Sequence, residues 1–176
     1  MKSLKGFIVG IVLVFSIGVV VFLGLSLYAY SNLKYYSVYY AQQMPHKEGT
    51  EPDLVMLLEN MGSIYTPKIE GIRYDDDGRN FIENSTNLTG KPTNFDEFVG
   101  GYGYSDQNDV TYKFNKNFEL EWAIDKDYKK IDLATVDEKK IKEEIRETVQ
   151  PVLDVQSKPL INLQWLFNKM YQDRFN

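Results

Sequence analysis

Residues able to do catalytic chemistry are few in this sequence. Its 176 residues include a single histidine, His46, and no cysteine. Neither a Gly-x-Ser-x-Gly motif nor a phosphate-binding glycine-rich loop occurs, so no nucleophile with an adjacent base is indicated. A zinc site needs several Cys or His ligands. The sequence therefore predicts a binding protein without cofactor or metal, not an enzyme. A glycosidase that uses carboxylates alone stays open as the alternative.

Three consecutive aspartates, residues 75–77, precede Gly78 and form the densest acidic cluster. Carboxylates that end in glycine are typical of EF-hand calcium loops. With Gly78 at the sixth loop position, however, Arg73 falls at the first and Asn84 at the twelfth, where acidic ligands are required. The spacing therefore excludes an EF-hand. It leaves a solvated hairpin turn or an irregular calcium site.

The chain is organised around residues 7–27, which contain no charged side chain. A helix of these 21 residues is about 32 Å long, which matches a hydrocarbon core about 30 Å thick. Lys2 and Lys5 precede the apolar run and mark the N-terminus as its cytoplasmic end. We therefore expect a retained single-pass anchor in the cell membrane, with the rest of the chain extracellular. A signal peptide cleaved after Ser26 is the alternative.

The sequence divides into a cytoplasmic tail (residues 1–6), a transmembrane helix (7–30), a tyrosine-rich connector (31–49) and an extracellular α+β domain (50–176). Six tyrosines crowd residues 28–40. Because tyrosine has an apolar ring and a polar hydroxyl, we interpret this cluster as an interfacial belt or as packing onto the domain. An aromatic surface for a partner is the alternative.

The exterior part of the chain is acidic. Beyond Lys2 and Lys5, 18 basic residues stand against 25 acidic ones, a net charge of −7. Such a surface disfavours nucleic acid and favours a basic protein or a cationic ligand. A charge of this size also serves solubility alone.

Residues 110–124 predict a β-hairpin, because apolar and polar side chains alternate on both sides of a turn. The apolar face, which includes Trp122, is expected to pack against helices. The opposite face is expected to be open to water and to carry Glu119 and Glu121 with Lys113 nearby. That face is either a docking surface or an ordinary solvated one.

Tyr102 and Tyr104 lie in a glycine-rich stretch that we interpret as a loop, which closes over the sheet or contacts a partner. Together with Lys113, Glu119 and Glu121 they are the predicted partner-binding residues. The pattern predicts no oligomeric state.

Helices are predicted on both sides of the strands. Thr50 is expected to cap a first helix, Thr135 a second that Pro151 bends or ends, and Ser157 a third. The apolar stripe of the third, with Trp165 beside it, is expected to cover the sheet. The predicted fold is α+β: an N-terminal transmembrane helix followed by an antiparallel sheet covered on one face by C-terminal helices.

The C-terminal run from Trp165 to Phe175 carries a family likeness: Tyr171 follows Trp165 by six residues, and the run ends with Arg174-Phe175. With the basic start, single anchor, tyrosine-rich exit and acidic exterior, it resembles the TipC family of immunity proteins. The resemblance implies a membrane-anchored protein of a Gram-positive bacterium that binds and neutralises a secreted antibacterial toxin, one directed at cell-wall precursor outside the membrane.

An alternative function from another class is structural. A single-pass assembly subunit of a cell-envelope machine, such as a conjugation channel, would have the same plan of anchor and exterior domain.

Overall fold

A computed structural model describes residues 2–70, 73–75, 81–83 and 101–176. The chain begins with one long helix, α1 (Lys2–Tyr35), which continues past the uncharged run into the tyrosine cluster. Its segment Gly10–Tyr35 is long and apolar enough to cross a membrane, and none of its most apolar part is buried against the rest of the protein. The predicted N-terminal apolar helix is therefore present.

The remaining elements are short and form one α+β unit. In chain order they are α2 (Ser37–Gln43), α3 (Pro52–Glu59), β1 (Arg73–Asp75), β2 (Phe81–Glu83), β3 (Tyr102–Ser105), β4 (Thr111–Phe114), β5 (Leu120–Ile124), α4 (Glu138–Asp154) and α5 (Gln164–Phe175). A 3₁₀ turn, Leu133–Thr135, precedes α4.

The strands form a sheet in the order β1-β2-β3-β4-β5. β1 and β2 are antiparallel, as the aspartate hairpin predicts, although turn residues 76–80 lie outside the described part of the chain. β3, β4 and β5 are also antiparallel neighbours. The β2–β3 pair is parallel, which the sequence did not predict. A parallel pair needs a connection of a dozen or more residues, and residues 84–101 provide that length.

One face of the sheet packs on helices. The register pairs Tyr102 with Phe114 and Tyr104 with Tyr112, so these four rings lie on the same face. Helices α3, α4 and α5 supply hydrogen-bond partners to Tyr102 and Tyr104. The predicted α+β class, with helices over one face of the sheet, is confirmed.

The opposite face is not the open surface that alternation predicted. All residues of β3 and β4 are buried, including the polar side chains of Ser105, Thr111 and Lys113 on this second face. The Ser105 and Thr111 hydroxyls are 2.7 Å apart and hydrogen-bonded, which satisfies polar groups that water does not reach. Of β3, β4 and β5, only β5 exposes side chains.

A β-bulge reverses the expected orientation of Trp122. The β4–β5 register shifts between Lys113 and Phe114, so that Trp122 lies opposite Lys113 while Leu120 lies opposite Phe114. Glu121 is the extra residue of the bulge. Because one extra residue moves the following side chains to the other face, Trp122 shares the face of Lys113. The prediction that Trp122 packs between sheet and helices is wrong.

The predicted helix caps differ from those observed. Thr50 does not cap α3; its hydroxyl donates to the Lys47 carbonyl, and Glu51 is the N-cap residue. Asp137, not Thr135, caps α4 by accepting from the backbone N–H of Lys140 at 3.1 Å. Pro151 does not end α4, which continues to Asp154.

The last helix starts later than predicted, at Gln164 rather than after Ser157. With this start, Phe167 and Phe175 are the residues of α5 that are buried, and Trp165 faces outward with 67% of its surface exposed. The prediction that Trp165 covers the sheet is therefore wrong.

α3 forms the centre of the helical layer. Residues 52–58 are all buried, and Glu59, the last residue of the helix, is exposed. The helix packs against α2, part of the predicted connector, and against α4. The backbone N–H of Lys47 donates to the Phe175 carbonyl at 2.8 Å, which fastens the end of α5 to the segment before α3.

Candidate protein-binding surface

The five predicted partner-binding residues separate into two groups in the structure. Lys113, Glu119 and Glu121 lie together at the β4–β5 hairpin, and we call these three residues the hairpin surface. Tyr102 and Tyr104 lie in β3, not in a loop, and both rings are buried under the helices. The tyrosines therefore present no side-chain surface to a partner in this structure.

Tyr102 connects the sheet to two helices. Its hydroxyl donates to Glu59 Oε1 of α3 at 2.7 Å and accepts from Arg174 Nη2 of α5 at 2.9 Å. Arg174 also pairs with Glu59 at 3.0 Å and donates to the Lys116 carbonyl in the hairpin turn. Burial and the adjacent Glu59 carboxylate raise the pKa of Tyr102 above its ordinary value of 10.0. This cluster fixes the hairpin turn to α5 and α3.

Tyr104 makes the corresponding connection to α4. Its hydroxyl donates to Glu144 Oε1 at 2.7 Å, and its ring stacks on Tyr112 with centroids 6.3 Å apart. Burial, followed by the nearby Asp106 carboxylate, raises the pKa of Tyr112. Buried tyrosines of this kind contribute packing and a satisfied hydrogen bond.

Lys113 is a structural cation. Its ammonium lies 3.0 Å from Glu121 Oε2, and its side chain is 10% exposed against 43% for Glu121. Gly101 closes over it: a Cβ at this position would lie 3.0 Å from Lys113 Cε and 2.1 Å from the Phe114 carbonyl oxygen. Only glycine permits so close a backbone approach. A buried ammonium needs a partner, and the bulge residue Glu121 provides it.

Glu119 is an exposed acidic residue of the hairpin surface. Its carboxylate accepts from Asn115 Nδ2 at 2.7 Å. Asn115 Oδ1 in turn accepts from the backbone N–H groups of Asn117 and Glu119. Phe118 has a positive φ of 62°, and its ring stacks on that of Phe114 with centroids 4.7 Å apart. This contact fixes the turn to β4. The hairpin presents Glu119 on a fixed backbone.

A second exposed acidic surface was missed by the sequence reasoning. Glu143, Glu147 and Asp154 are exposed on the outer side of α4, whereas Ile145 and Val149 of the same helix are buried. We call the three acids the α4 stripe. Their separations of four and seven residues place them near one face of a helix, so the helical period was the signal that could have found them.

A shallow groove of about 390 Å³ lies between α4 and the segment before α3. The charged side chains that line the groove form ion pairs with other residues of the protein. Arg146 donates to both carboxylate oxygens of Asp53, at 2.8 and 2.9 Å, and also to Glu51, while Lys142 pairs with Glu138 at 2.7 Å. Its hydrogen bonds to Asp53 raise the pKa of Arg146 despite the opposing effect of burial. The groove therefore lies at a junction between α4 and the segment before α3 that is held by ion pairs.

Within the described ranges, no group of three or more His, Cys, Asp or Glu residues is arranged to hold a metal ion. His46 is exposed, and its Nδ1 lies 2.9 Å from the Met44 carbonyl oxygen. Aspartates 76 and 77 belong to the stretch that predicts a solvated turn or an irregular calcium site, and they lie outside the described residues.

No protein-family model, curated protein or solved structure matches this chain.

Proposed function

We propose that this chain is an immunity protein, anchored in the membrane by α1, whose extracellular domain binds and neutralises a secreted antibacterial toxin by occlusion. The observation that carries the proposal is an acidic domain, attached to a long apolar helix, that exposes Glu119 and Glu121 on a hydrogen-bonded hairpin. The resemblance of residues 165–175 to the TipC family supports a Gram-positive source and a toxin directed at cell-wall precursor.

The charges around α1 support the orientation. Lys2 and Lys5 precede the apolar segment without an acidic neighbour, which favours a cytoplasmic N-terminus. The domain then lies outside the cell, where it meets a toxin released by neighbouring cells before the toxin reaches its target at the membrane.

Charge supports a basic surface on the partner. The chain beyond its two N-terminal lysines has a net charge of −7, and Glu119 extends from a turn that is held by side-chain hydrogen bonds. Complementary charge mainly accelerates encounter and sets specificity, and a rigid turn loses little conformational entropy on binding. The hairpin surface therefore acts first in recognition.

The test uses the full chain in detergent micelles and, in purified form, the product of each secreted-protein gene that lies beside its own. Association rates are measured at low and high salt for the wild type and for Glu119→Lys. The matched control is Glu147→Lys, which makes the same charge change on the α4 stripe. Glu121→Lys is unsuitable because it places a second ammonium beside buried Lys113. We expect Glu119→Lys to slow association and weaken its salt dependence, and Glu147→Lys to change it less.

Two outcomes contradict this proposal in different ways. A larger effect of Glu147→Lys assigns docking to the α4 stripe instead of the hairpin surface. Failure to form any complex, together with unchanged survival of a deletion strain beside toxin-producing kin, rejects immunity. That result favours the single-pass subunit of a cell-envelope machine.

A further inference from the structure

The segment before α5 is fastened to the end of α1. Asn32 Nδ2 of α1 donates to the Ile161 carbonyl at 3.2 Å, and the backbone N–H of Leu163 donates to the Tyr40 hydroxyl at 3.0 Å. Asn32 follows the last residue of the uncharged run, Leu27, by five positions, which is about 7.5 Å along a helix. Residues 160–163 therefore lie at the level where α1 leaves its apolar stretch.

This segment exposes large apolar side chains. Leu160 is 99% exposed, Trp165 67% and Ile161 54%. We call these three residues the apolar patch. On the same level of α1, Leu27, Tyr28 and Tyr30 are exposed as well. Contiguous exposed apolar groups mark contact sites, and tryptophan and tyrosine are enriched where a protein meets lipid headgroups.

The charges around the apolar patch differ from those of the rest of the domain. Residues 155–172 contain no Asp or Glu, and residues 1–47 contain none either, although the whole chain has 25. Lys158 and Lys169 flank the patch and are exposed, while Lys34 lies over the Tyr30 ring at 4.9 Å from its centroid. Lysines beside apolar groups, without carboxylates, fit a layer of lipid phosphates.

We propose that the apolar patch enters the headgroup region of the same bilayer that α1 crosses, so that the domain is attached at two points. The lipid surface is the occupant because the patch is continuous with the apolar segment of α1 and lacks negative charge. This inference rests on the proposed insertion of α1. The second attachment fixes the tilt of the domain relative to the membrane. Attachment through α1 alone would leave that tilt free.

The two tryptophans of the chain provide the experiment. Trp122→Phe leaves Trp165 as the single indole, and Trp165→Phe leaves Trp122, which lies on the sheet face of Lys113. Each full-length variant is placed in nanodiscs of phosphatidylcholine and phosphatidylglycerol, with ordinary lipid or with lipid brominated near the headgroup end of its chains. Should Trp122→Phe fail to fold by circular dichroism, Trp122→Tyr replaces it.

Because indoles settle at headgroup depth, we expect bromolipid to remove about half or more of the Trp165 emission. The emission of Trp122 should change little. Equal quenching of both indoles, or quenching of neither, overturns the apolar patch as a lipid contact. Shielding of Trp165 that appears only when several copies share one disc also overturns it, since a second copy would then cover the patch.

A third variant separates failure of this inference from failure of the anchor. Phe15→Trp with both native tryptophans replaced by Phe reports on the middle of α1, where Phe15 is exposed. Quenching of this indole by lipid brominated deep in its chains, without quenching of Trp165, keeps the anchor and rejects the apolar patch. Absence of quenching at position 15 rejects the membrane anchor, and the inference with it.

Discussion

The Tyr40 hydroxyl of α2 donates to Asn32 Oδ1 of α1 at 2.7 Å. The Tyr40 hydroxyl oxygen also accepts a hydrogen bond from the backbone N–H of Leu163. Helices α1 and α2 and the segment before α5 therefore meet at this one buried hydroxyl. Burial raises the pKa of Tyr40, and its ring also packs on Phe167 with centroids 5.4 Å apart. This junction determines how the domain is held at the end of α1.

Removing that hydroxyl should loosen the junction. Tyr40→Phe keeps the ring but removes the hydroxyl that donates to Asn32 Oδ1 and accepts from the Leu163 N–H. We expect the free energy of unfolding to fall by about 1–3 kcal/mol, the usual cost of an unsatisfied buried polar group. Tyr65→Phe, the same change at an exposed ring, is the control. Denaturant unfolding in micelles measures both, and equal small effects would mean that water replaces the hydroxyl.

Arg146 should contribute more to stability than any surface lysine of α4. Arg146→Met leaves Asp53, whose side chain is only 13% exposed, without its bidentate partner. We expect a loss of about 1.5–3 kcal/mol, typical of hydrogen bonds to charged groups. Lys139→Met, which breaks the exposed Lys139–Glu143 pair, should cost less than about 1 kcal/mol. Similar losses for the two variants would show that the Arg146 cluster is open to solvent.

The phase of α5 makes a direct prediction about two aromatic residues. Phe167 is fully buried, so Phe167→Ala should cost about 3–5 kcal/mol. Trp165→Ala removes a larger side chain from an exposed position and should change stability in micelles by less than about 0.5 kcal/mol. If Trp165→Ala proved the more destabilising change in denaturant unfolding, the assigned phase of α5 would be incorrect.

Stability should decline in alkaline solution. The pKa values of Tyr102 and Tyr112 are raised in the folded protein above the ordinary 10.0, so the unfolded chain loses these protons first. Their contribution is complete below about pH 10 and is lost as pH rises further, by up to about 1.4 kcal/mol per pH unit for each tyrosine. Urea unfolding at a series of pH values measures this slope. Tyr112→Phe should reduce it, and an unchanged slope would assign the effect to other groups.

The sequence predicted which helices and strands form more accurately than it predicted which face of each one is buried. The uncharged run and the alternation in residues 110–124 identified α1 and the β4–β5 hairpin, because each pattern is local. The bulge at Glu121 could not be predicted from the sequence, because polar and apolar residues alternate across it without interruption. The start of α5 was missed because residues 160–163 are held by Asn32 and Tyr40, more than 120 positions away in the chain.

The same limit applies to the candidate site. Glu119 and Glu121 are exposed, as the alternation suggested, but nothing in the local pattern indicates that Lys113 is buried beneath Gly101. The glycines around Tyr102 and Tyr104 favour a loop in the sequence. Their partners Glu59, Glu144 and Arg174 come from three helices that only tertiary structure brings to β3.

The burial of residues 52–58 in α3 constrains the order of events during synthesis. Helix α3 is made early, yet all of its residues except Glu59 are buried in the folded protein. Its packing partner α4 and the Phe175 carbonyl that accepts from Lys47 come from the last part of the chain. Short isolated helices are marginal in water, so α3 cannot become stable until these later segments arrive. A chain threaded through an export channel in an unfolded state would therefore stay unfolded until nearly all of it had passed. The domain would then fold only after it had crossed the membrane.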